Sequence, residues 1–415
     1  MNNRRPYLWL LLSVICAASM AFYVARIWSA GQSQNFSDLY APWWASHELL
    51  LHGRNPYSPA VAHEIQHVIY GAESPTTPDD PTGIAGGFAY PPFTALLLWP
   101  LVHLSFPTAK MAFLLFSVFL VLLSLALWLR ILGYTLTPVL WIAAAFFVFG
   151  SFPVMQVLKL ENLSVLSAAL ITVTVFCVWS DQLILAGILL ALSTFKPQFA
   201  LALVVWLVIW SIAAWKRRRS LIWSFLTTTL ALGLVSQWLV PGWIPSFLNV
   251  VRAYRHYTYG HSLFDVWFTP AVGPIVAAIL FLLAVGLCWR YRSDPADSNE
   301  FATSIAVLLA TNLVVIATLA PHAQLLLLPA FLCLAQHAKT LLKASRISRL
   351  LLLGTALLLA WPWLATIGLL IAWILSFSLH LQRFWQVPLY TSPILPLAAM
   401  STLATSLLLR PQISH

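Results

Sequence analysis

Apolar residues in this chain neither alternate with polar ones nor recur only at helical spacing; they run on without interruption. Tyr7–Ala25, Met111–Leu129, Ile131–Leu158, Ser220–Val251, Val266–Trp289, Phe301–Ala338, Leu350–Gln382 and Phe384–Leu409 contain no Asp, Glu, Lys or Arg. Each run is long enough to cross a hydrocarbon core of roughly 30 Å as a helix, which takes about 20 residues. Strands of an outer-membrane barrel would alternate apolar and polar positions, and these runs do not. The pattern predicts an all-α polytopic membrane protein with about 11–13 transmembrane helices. It reads as a single integral membrane domain spanning residues 1–415.

Composition agrees: 60% of residues are hydrophobic and 8% are charged, where soluble domains carry about 25% charged residues. A soluble globule and a disordered chain are both excluded. The net charge of +10 does not point to nucleic acid, because the basic residues occupy short islands. Arg4 and Arg5, Lys216–Arg219, Arg290 with Arg292, and Lys339, Lys343, Arg346 and Arg349 are such islands. Clusters of this kind set membrane orientation and are expected in the cytoplasm. Cys16, Cys177, Cys288 and Cys333 lie inside apolar runs without metal-ligand spacing and read as small core residues. The N-terminus has a basic start and an apolar stretch like a signal peptide. It is expected to remain as the first span, with cleavage the alternative.

Only one long segment is polar. Residues 31–90 hold Asp38, Glu48, Glu64, Glu73, Asp79 and Asp80, half of the twelve acids, and four histidines. Following one span from a cytoplasmic N-terminus, they are expected to form the first extracytoplasmic loop. Pro42–His52 has helical spacing and Gly53 to end it; Ser58 and Pro59 begin a second helix that stops at Tyr70–Gly71. Both are expected to lie on the bilayer surface as amphipathic helices. Ser74–Gly87 reads as a mobile loop, and Pro91–Ser105 as a short span. Residues 241–265 form a second extracytoplasmic loop, and Pro321–His322 falls on the same side. Lys196 interrupts the apolar stretch Leu183–Trp215, as one broken helix or two short ones, so the topology of Arg130–Lys216 stays open. No repeat of fixed period is evident.

Charges inside apolar stretches are the sharpest chemical signal. A mid-bilayer lysine costs roughly 2.5–3.5 kcal/mol, and Lys196 precedes a helix-breaking proline. It either faces an anionic head group or snorkels to water. Lys159, Glu161 and Asn162 form a second island, read as a plain loop or as lining of the same cavity. His322 follows Pro321 in 38 uncharged residues. Arg252, Tyr254, Arg255, His256, Tyr257 and Tyr259 make a basic, aromatic cluster suited to phosphate, sugar or the membrane interface. Asp38, shortly after the first span, can act as a base on a hydroxyl, and no second carboxylate is evident beside it. Finally, His63-Glu64-Ile65-Gln66-His67 matches the H-E-x-x-H zinc protease motif.

Taken together, Asp38-Leu39-Tyr40, Gly53-Arg54-Asn55-Pro56-Tyr57, Phe88-Ala89-Tyr90-Pro91-Pro92, Lys196-Pro197-Gln198 and Ala320-Pro321-His322 resemble glycosyltransferase family 87. This is the DUF2029 group of bacterial polyprenyl-phosphate-mannose-dependent mannosyltransferases. The resemblance is best over residues 7–220. It implies a GT-C-like fold, a first outer loop over a membrane cavity, and Asp38 as catalytic base. Where the family often carries Gly-Gln-x-Asn, this chain has Leu160-Glu161-Asn162-Leu163-Ser164. The expected function is inverting transfer of one sugar, mannose by resemblance, from polyprenyl phosphate to an extracytoplasmic hydroxyl. Lys196, His322 and Arg255 are expected to hold the donor phosphate. Tyr40, Asn55, Tyr57, Tyr90, Asn162 and Gln198 are expected to contact substrate. No cofactor and no metal are expected. The partners are the lipid-linked donor, a glycolipid or glycan acceptor and membrane lipid, in a bacterial inner membrane with the active site on the extracytoplasmic face. A transporter or flippase of lipid-linked sugars, and the zinc protease, are the alternatives.

Overall fold

The apolar runs fold as helices in the computed structural model, which describes residues 5–28, 37–71, 80–257, 262–316, 320–376 and 381–409; no β-strand forms among the described residues. The first span is α1 (Arg5–Trp28). Helices α2 (Tyr40–His52) and α3 (Pro59–Tyr70) occupy the polar loop. Their ends follow local rules. Gly53 and Gly71 adopt φ of 64° and 73°, and the Ser58 hydroxyl accepts from the Val61 N–H at 3.4 Å. Two expectations for this region change. First, α2 packs inward, burying Tyr40, Trp43 and Leu49, with Trp43 Nε1 donating to the Leu101 carbonyl at 2.9 Å. Second, the described part of the loop before Tyr90 is pinned. Asp80 accepts from the Ile84 and Ala85 N–H groups, and Gln66 donates to the Gly83 and Ala85 carbonyls. Residues 72–79 lie outside the described set.

No span forms over Pro91–Ser105. The stretch divides into single-turn helices α4 (Thr94–Leu97) and α5 (Trp99–Val102), because Pro100 lacks the N–H a continuous helix needs. Long helix α6 (Phe106–Ile131) follows. The run Ile131–Leu158 becomes α7 (Pro138–Phe149) and α8 (Phe152–Leu160), joined by a 64° bend. Next come α9 (Ser164–Trp179), α10 (Leu183–Ser193), α11 (Pro197–Ala213), α12 (Trp215–Leu239) and α13 (Trp243–Tyr257). The order closes with α14 (Leu263–Trp267), α15 (Gly273–Cys288), α16 (Asn299–Val315), a 3₁₀ segment Pro321–Leu327, α17 (Leu328–Ala344), α18 (Arg346–Ser376) and α19 (Leu395–Leu408).

Among the described residues, six helices are long and apolar enough to cross a bilayer, or seven with the bent pair as one span; five shorter apolar helices accompany them. Leu230, Leu234 and Trp238 on α12 and Ile275 and Leu282 on α15 are exposed. Rows like these are a liability in water and at home against lipid. The chain is a multi-pass membrane protein.

The region 130–216 left open above now has a geometry. Leu183–Trp215 forms two helices, broken at Lys196. Helices α11 and α16 run antiparallel: Asn312 Nδ2 donates to the Gln198 carbonyl at 2.7 Å, and Trp210 Nε1 to the Asp294 carbonyl at 2.9 Å. Arg218 closes the latter end, donating to the Trp210, Arg292, Ser293 and Asp294 carbonyls and lying 3.6 Å from the Trp210 ring. The basic islands 216–219 and 290–292 therefore meet at one end of the bundle. Lys196 lies at the other, about 25 Å away along the 17 residues of α11.

Candidate active site

Asn162 and Lys196 both come from places where a helix is interrupted. Breaks free backbone groups and give side chains room to turn inward. At the first break, Glu161 caps α8 with φ 48° and ψ 44°, a left-handed conformation costing a residue with a side chain about 1–2 kcal/mol. The reversal delivers Asn162, whose Oδ1 accepts from the Ser164 N–H at 2.8 Å and the Ser164 hydroxyl at 2.6 Å. The second break, between α10 and α11, delivers Lys196. The approach to α2 delivers Asp38, whose N–H donates to the Leu160 carbonyl at 2.8 Å.

These side chains form one hydrogen-bonded row. Asn162 Nδ2 donates to Asp38 Oδ2 at 2.6 Å, and Lys196 Nζ donates to Asn162 Oδ1 at 2.9 Å and to the Ser164 hydroxyl at 2.8 Å. The amide orientation follows from the neighbours: only its oxygen suits the ammonium and only its nitrogen suits the carboxylate. An ammonium has three donors, so one remains beyond the two neutral oxygens. Lys196 is buried, 5.8 Å from the Tyr90 ring centre and 5.3 Å from that of Phe199. His322 lies within electrostatic range of Lys196, and its buried Nδ1 has no hydrogen-bond partner among the described residues.

Burial pushes the Asp38 carboxyl above the ordinary aspartate range; the Asn162 hydrogen bond and the Lys196 charge pull it back only partly. A base of raised pKa beside a cation suits proton abstraction from a hydroxyl. Contrary to the expectation of a lone carboxylate, Glu161 is buried within electrostatic reach of Asp38. Burial raises Glu161 as well. A Ser37 hydrogen bond and nearby Lys110, its Nζ 3.8 Å from Glu161 Oε2, oppose that rise. The polar pattern Glu161-Asn162-x-Ser164 ahead of an apolar run is the signal for this group, and Ser164 is its member that sequence reasoning missed.

Of the expected site residues, Asp38, Asn162, Lys196, Tyr90 and His322 come together. Tyr57 stands behind them, donating from its hydroxyl to the Tyr90 carbonyl at 2.6 Å. The Asn55 side chain is in a turn, accepting from the Tyr57 N–H at 3.0 Å. Tyr40 packs edge-on against Phe106 at 4.9 Å and parallel to Trp44 at 6.3 Å. Gln198 and Arg255 are exposed. On α13, Tyr254 is the residue within electrostatic range of Tyr90. Tyr259 and the side chains of His256 and Tyr257 lie outside the described residues. Lys159 is exposed.

Glu64 of the H-E-x-x-H sequence is engaged elsewhere. Its carboxylate accepts from Arg54 at 2.6 and 3.2 Å and from Trp44 Nε1 at 2.9 Å. The Arg54 guanidinium holds it below the usual carboxylate range. A carboxylate neutralised in this way is a poor base for a metal-bound water.

Beside the Lys196 end, an apolar cavity of about 390 Å³ runs between α6, the α7–α8 bend, α9, the 3₁₀ segment and α18. Trp128, Phe147, Ile171, Leu325 and Pro362 line it, and Pro321 and Gln324 border it on either side of His322.

The family model for glycosyltransferase family 87 matches residues 88–321, more than half of the chain. No curated protein and no solved structure matches it.

Proposed function

Because the chain belongs to glycosyltransferase family 87, we propose that this membrane glycosyltransferase moves a single sugar, mannose, from polyprenyl phosphate to an extracytoplasmic hydroxyl with inversion. The reading rests on one observation: Asp38 and Lys196 are held on the two ends of one amide, Asn162. The acceptor oxygen attacks the anomeric carbon and its proton passes to Asp38. The bond from that carbon to the phosphate oxygen breaks, and polyprenyl phosphate leaves with the electron pair. The remaining Lys196 donor meets the charge growing on the phosphate, where a preorganised cation in a water-poor site is most effective. Tyr90 stays neutral because burial raises its phenol, so it serves as a hydrogen-bond donor. His322 is within electrostatic range of the cation, and its neighbour Pro321 lines the apolar cavity. That cavity suits a prenyl chain, and its border at Pro321 and Gln324 suits a lipid whose head reaches Lys196. The basic islands at the opposite end support a site outside the cytoplasm, since the positive-inside rule assigns such islands to the cytoplasm.

The test is a purified assay with polyprenyl-phosphate mannose and a glycolipid acceptor. Free polyprenyl phosphate and an inverted glycosidic linkage are expected, both reduced by about 10²–10⁴-fold in Asp38→Ala. Labelled donor crossing the membrane intact, without release of polyprenyl phosphate, would make the protein a transporter instead.

A further inference from the structure

The polar loop carries a second constellation that sugar transfer does not use. On the last turns of α2, His47 Nδ1 lies 3.3 Å and His52 Nδ1 3.2 Å from the same oxygen, Glu48 Oε1. No two of the three ligand atoms are more than 4.8 Å apart. We propose that His47, Glu48 and His52 bind a zinc ion that clamps the last turns of α2.

Four observations support this site. Zinc bonds of about 2.0–2.1 Å in a tetrahedron set its ligand atoms about 3.3 Å apart, and both nitrogen–oxygen separations match. The second carboxylate oxygen, Oε2, is held by Arg54 Nη1 at 2.6 Å. That bond fixes the carboxylate from outside and leaves Oε1 for the ion, as supporting hydrogen bonds do in zinc sites. The His47 ring lies parallel to Trp44 at 5.3 Å, which limits its rotation. Charge also favours a cation: Glu48 and Glu64 share the single guanidinium of Arg54, leaving one negative charge. Two imidazoles with one carboxylate suit zinc better than calcium or magnesium, which prefer oxygen alone. His52 is 53% exposed, so the ion enters from water and water fills the fourth position. Helix α2 places this site about 10–18 Å beyond Asp38, so its role is to brace the loop.

The experiment uses full-length protein in detergent, stripped with a chelator and titrated with ZnCl₂ by calorimetry. One zinc per chain is expected, with a higher thermal midpoint on loading. His52→Ala should weaken binding at least tenfold, and His47→Ala with His52→Ala should abolish it. His63→Ala, in the H-E-x-x-H sequence, should bind as the parent does. Because His52 is the exposed last residue of α2, its variant keeps the fold, checked by helical circular dichroism. Parent protein that takes up less than one zinc, or affinity unchanged in His52→Ala, overturns the proposal. So does loss of binding in His63→Ala.

Discussion

The two ends of α2 carry two arrangements of charge. Past its C-terminal end, Arg54 bonds directly to Glu48 and Glu64, each at 2.6 Å. Before its N-terminal end, Asp38 and Lys196 meet only through the neutral amide of Asn162. The first group is partly exposed and its charges bond directly to one another, with one carboxylate charge in excess. The second is the costlier, since Lys196 is buried, and its cation nevertheless faces neutral oxygens. Where charge is only structural, direct pairing is cheap and sufficient. Where opposite charges are held apart in a dry place, they are available to a substrate that brings a proton and an anion.

Disabling the buried group should have the larger effects. Asp38→Ala removes the proposed base and should lower transfer by about 10²–10⁴-fold, measured as release of the proposed polyprenyl phosphate product; an unchanged rate would remove Asp38 from the mechanism. Lys196→Met should lower kcat/KM for donor by about 10²-fold. Membrane insertion and thermal midpoint should hold or improve, because a buried charge is gone. The pH profile gives a finer view. With Asp38 as the proposed base, transfer needs its ionised form, and burial raises its pKa, so activity should fall on the acid side at a pH above the ordinary aspartate value of about 3.9. Glu161→Gln removes a neighbouring negative charge, so this acid limb should move to lower pH while the plateau rate stays. A limb that does not move would uncouple the two carboxyls. The exposed group should give the least. Arg54→Ala is expected to lower the thermal midpoint, because buried Glu48 loses its guanidinium partner, and to leave transfer intact. The Glu64 carboxyl is lowered in the fold, so its stabilisation is complete above the unfolded value of about 4.3. It fades as pH falls through the native value, and thermal midpoints across pH 3–7 in parent and variant should converge at the acid end.

Local chemistry made α3 legible: Ser58, Pro59 and Gly71 state its start and stop within the chain itself. Lys196 was legible for a different reason, as a cation beside a proline in apolar surroundings. Asp38 alone resembled any loop aspartate, because its significance lies in Asn162, 124 positions away. Glu161 was hidden for the same reason, since its closeness to Asp38 comes from the fold. The H-E-x-x-H pattern misled in the opposite direction. Its spacing was right for a helix, but Arg54, ten residues earlier, claims the glutamate. Pro91–Ser105 was long enough on hydropathy for a short span, yet Pro100 divides it. Hydropathy counts transfer free energy and does not see a missing N–H.

Gly150 stands at the bend between α7 and α8. A Cβ there would lie 2.6 Å from the Ala17 Cα of the first span, so the two backbones touch where any larger residue would force them apart. Helix α8 extends about 13 Å from this fulcrum to Glu161 and Asn162. Tilting such an arm by about 10° moves its tip by about 2 Å, and a 1 Å misplacement can cost about a hundredfold in rate. One methyl group at a helix–helix contact thus acts as a lever on the amide that holds acid and cation in register.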